Sequence, residues 1–135
     1  MKLGVYSVGR ILIVDDDQET RDLLCEFFQA NGYSEVEAVG DGVAAREALA
    51  RDGDCRVVIA DLRMPNESGL DLLRNLRKEN AKREMVLMSS FVSATERELA
   101  RELGAYALLD KPLRLAELLH VISELMTQKP VEITP

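Results

Sequence analysis

VVIADLRMP, residues 57–65, is an apolar run that ends in a carboxylate, Asp61, and then breaks at a proline. Four consecutive residues without a polar side-chain atom are typical of a strand buried on both faces, as in a parallel sheet with helices on either side. Asp61 then lies at the C-terminal end of that strand. The stretch therefore predicts an α/β fold with a carboxylate at one edge of its sheet.

A second apolar run, ILIV at residues 11–14, leads in the same way into Asp15, Asp16 and Asp17. If the two strands are parallel neighbours, their carboxylates meet at one edge of the sheet. Crowded carboxylates repel one another, so such a cluster persists mainly when a cation neutralises it. Because all the ligands are oxygen atoms, we expect a hard divalent ion, Mg²⁺ before any other.

Composition sets limits on the class of protein. A chain of 135 residues is long enough for one domain and too short for two. Its 17 basic and 24 acidic residues give a net charge of -7, which argues against binding of nucleic acid or of an anionic membrane. Cys25 and Cys55 lack a metal-ligand spacing and are expected to be free thiols. No run has the length of a signal-peptide core or a membrane span, so we expect a cytoplasmic location.

Five strands alternate with five predicted helices. The other strands are expected at about residues 33–39, 85–88 and 106–109. Residues 33–39 alternate polar and apolar side chains and belong at a sheet edge. The pattern predicts a doubly wound parallel sheet of order 2-1-3-4-5 with right-handed crossovers. We expect a leader at 1–9, one domain at 10–127, and a tail or the start of a linker at 128–135.

Local signals mark the helix ends. Asp41, Ser68 and Ser93 are predicted N-caps, and Asp17 is expected in the first turn of the first helix. In such a sheet, ligands bind outside the carboxyl ends of the strands, at the point where the strand order reverses. Five polar groups are expected to converge there: Asp15, Asp16, Asp61, Ser89 and Lys111.

These motifs resemble the receiver domain of bacterial two-component response regulators, the CheY-like family. The resemblance covers roughly residues 10–127 and rests on four motifs in order: an acidic pair, an aspartate, a hydroxyl and Lys-Pro, each after a strand. It implies a flavodoxin-like or CheY-like (βα)5 fold and a signalling module rather than an enzyme with an external substrate. The expected function is to accept a phosphoryl group, in an Mg²⁺-dependent phosphorelay reaction, from the phosphohistidine of a histidine kinase or phosphotransfer protein.

The resemblance implies a role for each carboxylate. Asp61 matches the phosphoacceptor, Asp16 the direct Mg²⁺ ligand, and Asp15 a carboxylate that acts largely through a metal-bound water. The backbone carbonyl of Arg63 would complete the protein's share of the coordination. The metal set expected on this basis is therefore Asp15, Asp16, Asp61 and Arg63.

The resemblance also implies roles for the remaining polar groups. Ser89 matches the hydroxyl that bonds a phosphoryl oxygen, and Lys111 the ammonium that pairs with another. The Lys111-Pro112 peptide bond is expected to be cis. His120 is the one histidine of the chain and is predicted to be a partly packed residue of the last helix. The phosphohistidine must then come from another protein.

The switch position departs from the family pattern. Leu108 stands where the family usually has a Tyr or Phe that swings inward as the hydroxyl, here Ser89, closes on the phosphate. Tyr106, given the same strand parity, and Phe91 are alternative switch residues. Arg63 and Phe91 occupy positions that tune the attack of water on the acyl phosphate, and their bulk predicts slow autodephosphorylation.

A homodimer is a possible consequence of phosphorylation. The face of the fourth helix, fifth strand and fifth helix would mediate it, although a solvated surface is the default for mixed charge. The fourth helix carries five charged residues: Glu96, Arg97, Glu98, Arg101 and Glu102.

Two other functions fit part of the pattern. A Mg²⁺-dependent phosphohydrolase of the haloacid dehalogenase type would use Asp15 and Asp17 but would leave Asp61 without a role. A degenerate receiver that only binds partners is the other alternative, for which Leu108 is the one hint. Mapping a phosphoaspartate to position 15 or 61, or finding none, separates the three.

Overall fold

The computed structural model describes residues 10–53, 55–79 and 82–127. Within these residues, five strands alternate with five helices. The elements are β1 Ile11–Val14, α1 Gln18–Ala30, β2 Val36–Val39, α2 Gly42–Arg51, β3 Val57–Asp61, α3 Gly69–Glu79, β4 Glu84–Ser89, α4 Ala94–Glu102, β5 Ala107–Asp110 and α5 Leu115–Thr127. The predicted leader, 1–9, and tail, 128–135, lie outside the described residues.

The strands form one parallel sheet of order β2-β1-β3-β4-β5, which confirms the predicted fold. Every residue of β3 is buried, as its apolar run predicts, whereas β2 is only half-buried at the edge. Side chains that alternate along the strands contribute to two cores. One core lies under α2, α3 and α4 and the other under α1 and α5, so the molecule has three layers.

The predicted capping residues begin their helices as expected. Asp41 accepts the backbone N–H of Ala44 at 2.8 Å at the start of α2. Ser93 and Glu96 exchange hydrogen bonds with each other's backbone N–H groups, the capping box that begins α4. These caps satisfy backbone donors that the first helical turn leaves free, and they fix the helix starts a few residues beyond the strand ends.

Several element boundaries differ from the sequence prediction by a few residues, and two of the differences have a clear local cause. β2 begins at Val36, because the Tyr33 N–H bonds to the Phe28 carbonyl at the end of α1 and the two rings pack edge to face. Asp17 is the N-cap of α1 rather than a first-turn residue, since its carboxylate accepts the Thr20 N–H at 3.2 Å.

His120 lies on the outer face of α5, so the prediction that it is partly packed was wrong. Its side chain is 73% exposed and lies 3.4 Å from the Glu124 carboxylate. The inner face of the helix is taken by apolar residues such as Leu118 and Ile122, which are fully buried.

None of the helices in the described part of the chain combines the length and the hydropathy that a membrane crossing needs. Cys25 and Cys55 are free thiols, as predicted, and burial raises the pKa of Cys55 to about 11.

Candidate functional site

The register of the sheet brings the predicted site residues to one edge. β1 pairs with β3, β3 with β4, and β4 with β5, so that their C-terminal ends lie side by side. Asp15 follows β1 directly, Asp61 ends β3, Ser89 ends β4 and Lys111 follows β5. The Lys111 N–H donates to the Ser89 carbonyl at 2.9 Å, which extends the β4 and β5 pairing into the site.

Three carboxylates form the floor and rim of this edge. Asp15, Asp16 and Asp61 each offer an oxygen atom within 4.8 Å of the other two. Asp15 is fully buried and Asp61 is 6% exposed, whereas Asp16 is exposed. The site therefore has a buried floor and one open side, and an oxygen-only donor set of this kind suits Mg²⁺.

Lys111 provides the one ammonium that contacts these carboxylates among the described ion pairs. Its Nζ lies 3.0 Å from Asp61 Oδ2 and 3.3 Å from Asp15 Oδ2. Burial alone would lower the pKa of Lys111, but the hydrogen bond to Asp61 and the charge of Asp15 raise it above its ordinary value. Three carboxylates against one ammonium leave two negative charges, which fits a divalent cation. The Lys111-Pro112 peptide bond is cis, as predicted.

Asp15 and Asp17 have different surroundings. Burial raises the pKa of Asp15, although the Asp17 N–H donates to its Oδ1 at 2.9 Å and Lys111 opposes the shift. The Asp17 side chain accepts the Thr20 hydroxyl at 2.6 Å, and that bond lowers the pKa of Asp17. Asp17 is therefore engaged in capping α1, outside the carboxylate cluster, which weakens the phosphohydrolase alternative.

Arg63 connects the loop that follows Asp61 to α4. Its backbone N–H donates to Asp61 Oδ1 at 3.1 Å. Its guanidinium donates to both carboxylate oxygens of Glu96, at 2.6 and 2.7 Å, and to the Phe91 carbonyl at 3.1 Å. The hydrogen bond between them raises the pKa of Arg63 and lowers that of Glu96. No local signal in the sequence connects these two residues, because they lie 33 positions apart and meet only at the surface of the folded chain.

Ser89 is fully buried, and its hydroxyl is engaged. The Oγ–H donates to the Phe91 carbonyl at 2.7 Å, and Oγ accepts the Phe91 N–H at 3.2 Å. The hydroxyl has one proton, so this arrangement directs it to the loop between β4 and α4.

The alternative switch residues do not share one environment. Leu108 packs against the core under α2, α3 and α4, whereas Tyr106 packs against the opposite core and donates its hydroxyl to Glu124 at 3.0 Å. The assumed common parity was wrong, because Tyr106 precedes β5 and the alternation of a strand does not extend to it. Phe91 is 68% exposed.

A partly buried ion pair holds the loop that follows Asp61. Glu67, near the end of this loop, pairs with Arg46 of α2 and accepts the Asn75 side chain of α3 at 3.1 Å. A Cβ atom on Gly42 would lie 2.6 Å from the Glu67 carboxylate, so the glycine permits this close approach. The loop is therefore fixed to the helices on both sides.

Comparisons with known proteins agree on one family. A family profile described as "Response regulator receiver domain" matches residues 11–123. The "Response regulator MprA" of Mycobacterium leprae (strain TN) is 39% identical over 117 residues, which cover 87% of this chain and 50% of that protein. This chain thus spans about half the length of the curated relatives that it matches.

Solved structures show the same similarity. A response regulator receiver protein from Pseudomonas putida superposes with a TM-score of 0.83 at 29% identity, covering 87% of this chain and 98% of that chain. A CheY-like receiver domain protein from Methanospirillum hungatei JF-1 has a TM-score of 0.84 at 25% identity, covering 90% of this chain and 96% of that chain.

Proposed function

This chain belongs to the response regulator receiver domain family, and from that membership we propose that Asp61 accepts a phosphoryl group from a phosphohistidine and so switches an output surface. The chain is a signalling module of a two-component system rather than an enzyme, which confirms the prediction from sequence. Its three aspartates form the acidic pocket for phosphoacceptance, of the kind typical of Mg²⁺ binding in receiver domains.

Support for Asp61 as the acceptor comes chiefly from its contact with Lys111 within the carboxylate cluster. A carboxylate can receive a phosphoryl group only if the incoming charge is neutralised, since phosphoryl transfer depends mostly on positioning and electrostatics. Asp61 has a cation at 3.0 Å and two further carboxylates that can share a metal ion with it.

In the proposed reaction an Asp61 carboxylate oxygen attacks phosphorus. An O–P bond forms as the N–P bond of the phosphohistidine breaks, and its electron pair passes to the imidazole. Lys111 and the Ser89 hydroxyl bind phosphoryl oxygens of the resulting acyl phosphate. Asp15, Asp16, Asp61 and the Arg63 carbonyl would hold Mg²⁺, which neutralises charge on the phosphoryl oxygens when it is bound.

The donor is a second protein. Receiver domains interact with histidine kinases, and we propose a histidine kinase or a phosphotransfer protein as the donor here. His120, the one histidine of the chain, lies exposed on α5 against Glu124 rather than among the site residues. We propose that the exchange takes place in the cytoplasm, a reducing compartment that suits the free thiols Cys25 and Cys55.

The output we propose is a homodimer through the face of α4, β5 and α5. α4 carries both signs of charge, with Glu98 and Arg101 paired at 2.5 Å on its outer surface, and such charges can exchange partners with a second copy. The net charge of -7 supports neither nucleic acid nor an anionic membrane as a partner of this domain. Mass measurements with and without phosphorylation test the dimer.

Phosphorylation by acetyl phosphate with Mg²⁺ tests the acceptor. We expect one phosphoryl group on wild type, mapped to Asp61, and none on Asp61→Asn. Asp17→Asn is the matched control, because asparagine also caps a helix and the same charge is removed nearby; we expect it to be phosphorylated like wild type. Phosphate on Asp15 would indicate the phosphohydrolase chemistry instead, and a wild type that accepts none would be a degenerate receiver.

A further inference from the structure

The Phe91 carbonyl is the point where two side chains from different parts of the site meet. It accepts the Ser89 hydroxyl at 2.7 Å and an Arg63 guanidinium N–H at 3.1 Å. Ser89 ends β4 and Arg63 follows β3, so the loop between β4 and α4 is held from two sides. While the single hydroxyl proton of Ser89 is donated to Phe91, it cannot be donated to a phosphoryl oxygen.

Glu96 fixes the Arg63 guanidinium in this position. Its two oxygens accept from Arg63 in a bidentate pair, and Oε1 also accepts the Ser93 N–H at 3.0 Å within the capping box of α4. An isolated exposed ion pair contributes little, but a bidentate arginine pair within a network of further bonds contributes more. Arg63 therefore ties the loop that follows the phosphoacceptor to the first turn of α4.

We propose that the Arg63–Glu96 pair is a latch that keeps the Phe91 carbonyl against the Ser89 hydroxyl, so that a phosphoryl group on Asp61 competes with the latched loop for Ser89. Arg63 is a positioning residue in this scheme. A phosphoryl oxygen withdraws the hydroxyl, which leaves the Phe91 carbonyl with Arg63 alone, so the loop between β4 and α4 loses one of the two side chains that hold it.

The latch rests on the phosphoacceptor function proposed above and adds regulation to that site. It also gives the domain a path from Asp61 to α4 that needs no aromatic ring at position 108. Leu108 then only packs against the core beneath α4, as the structure shows.

Glu96→Gln tests the latch, because glutamine at the third helical position keeps a capping box but removes the charge that holds Arg63. The probe is fluoroberyllate with Mg²⁺, a stand-in for the phosphoryl group, titrated into the full chain while amide chemical shifts are followed. We expect Glu96→Gln to bind fluoroberyllate about two- to fivefold more tightly than wild type. Its affinity for Mg²⁺ alone stays unchanged.

Asp71→Asn is the matched control, since it removes the same charge from an exposed pair with Arg74 on α3, outside the proposed dimer face. We expect it to bind fluoroberyllate like wild type. Arg63→Gln then separates the latch from a simple loss of negative charge. If Glu96 acts by holding Arg63, Glu96→Gln does not change the fluoroberyllate affinity of a chain that already carries Arg63→Gln.

Two results would overturn the latch while leaving the phosphoacceptor function intact. One is equal fluoroberyllate affinity of wild type and Glu96→Gln. The other is an increase in fluoroberyllate affinity from Glu96→Gln that persists when Arg63→Gln is also present. That increase would then come from loss of the repulsion between the Glu96 carboxylate and the anionic probe. A wild-type chain that binds no fluoroberyllate at all would instead overturn the phosphoacceptor function, and the latch with it.

Discussion

The ammonium nitrogen of Lys111 lies 3.0 Å from Oδ2 of Asp61. A metal ion and a phosphoryl group would each need to bind this same carboxylate. The ammonium supplies positive charge to the same carboxylates, Asp61 and Asp15, that a metal ion would bind. Lys111 therefore has two opposing effects, since it competes with a metal ion and favours a phosphoryl group. Removing the Lys111 ammonium by substitution separates its effect on metal binding from its effect on phosphorylation.

We predict that Lys111→Gln binds Mg²⁺ about fivefold more tightly, because removal of one like charge a few ångströms away is worth about 1 kcal/mol in a solvated site. The rate of phosphorylation by acetyl phosphate should fall at least about tenfold, since a cation on the developing charge is lost. Calorimetric titration and intact mass measure the two effects. Lys78→Gln, at an exposed lysine in the last turn of α3, should change neither. Weaker Mg²⁺ binding by Lys111→Gln would contradict this account.

The buried carboxyl of Asp15 makes metal binding dependent on pH. Because burial raises the pKa of Asp15 above its usual value, the fold favours the protonated form, and this group's contribution to the stability of the metal-free domain is lost as the pH rises through that pKa. Mg²⁺ needs the ionised form and must displace the proton.

We therefore predict that saturating Mg²⁺ raises the melting temperature by about 3–6 °C near pH 7, for a Mg²⁺ concentration of about ten times the Kd. The increase should shrink as the pH falls toward the raised pKa of Asp15, because Asp15 takes up its proton there. Asp15→Asn should show little increase at any pH. A Mg²⁺ effect that is independent of pH in wild type would contradict the role given to Asp15.

The arginine at position 63 is expected to slow loss of the phosphate. Its guanidinium is anchored to Glu96 and the Phe91 carbonyl, so a bulky group stays close to Asp61, whose charge it also feels. We predict that Arg63→Asn shortens the lifetime of the acyl phosphate about threefold, which corresponds to a change of about 0.7 kcal/mol in the barrier to water attack. Arg97→Asn, at an exposed arginine of α4, serves as the control. Equal lifetimes of wild type and Arg63→Asn would remove the argument for Arg63.

The architecture and the site could be predicted because their signals are local. Continuous apolar runs such as residues 57–60 predict parallel strands that are buried on both faces. A polar residue directly after such a run must lie at the carboxyl edge of the sheet. This rule places Asp15, Asp61, Ser89 and Lys111 at that edge, where the register of the sheet also brings them together.

Long polar side chains could not be placed from sequence, because their partners depend on the tertiary fold. Arg83 is an example: it is 7% exposed, and its guanidinium donates to the carbonyls of Leu49, Asp52 and Cys55 around the end of α2. The Arg63–Glu96 pair is another. Tyr106 shows the limit of the alternation rule, since one residue outside the strand was enough to reverse its face.

Gly69 begins α3 against Asp61 at the end of β3, at a distance that leaves no room for a side chain. A Cβ atom there would lie 2.8 Å from the Asp61 carbonyl oxygen and 2.9 Å from Leu87 Cδ2. Because the Asp61 backbone is held by the sheet, it cannot yield easily. We predict that Gly69→Ala lowers the free energy of unfolding by about 1–3 kcal/mol and also slows phosphorylation, since it displaces the backbone that carries the acceptor.

Urea denaturation of Gly69→Ala is best compared with that of Gly53→Ala. A Cβ atom on Gly53 would meet nothing within 4 Å, so this variant should be neutral or slightly stabilising through the reduced freedom of the unfolded chain. If both variants unfold at the same urea concentration, the close contact between α3 and β3 does not constrain the phosphoacceptor. If Gly69→Ala alone loses stability and also accepts phosphate more slowly, the packing of α3 sets the position of Asp61.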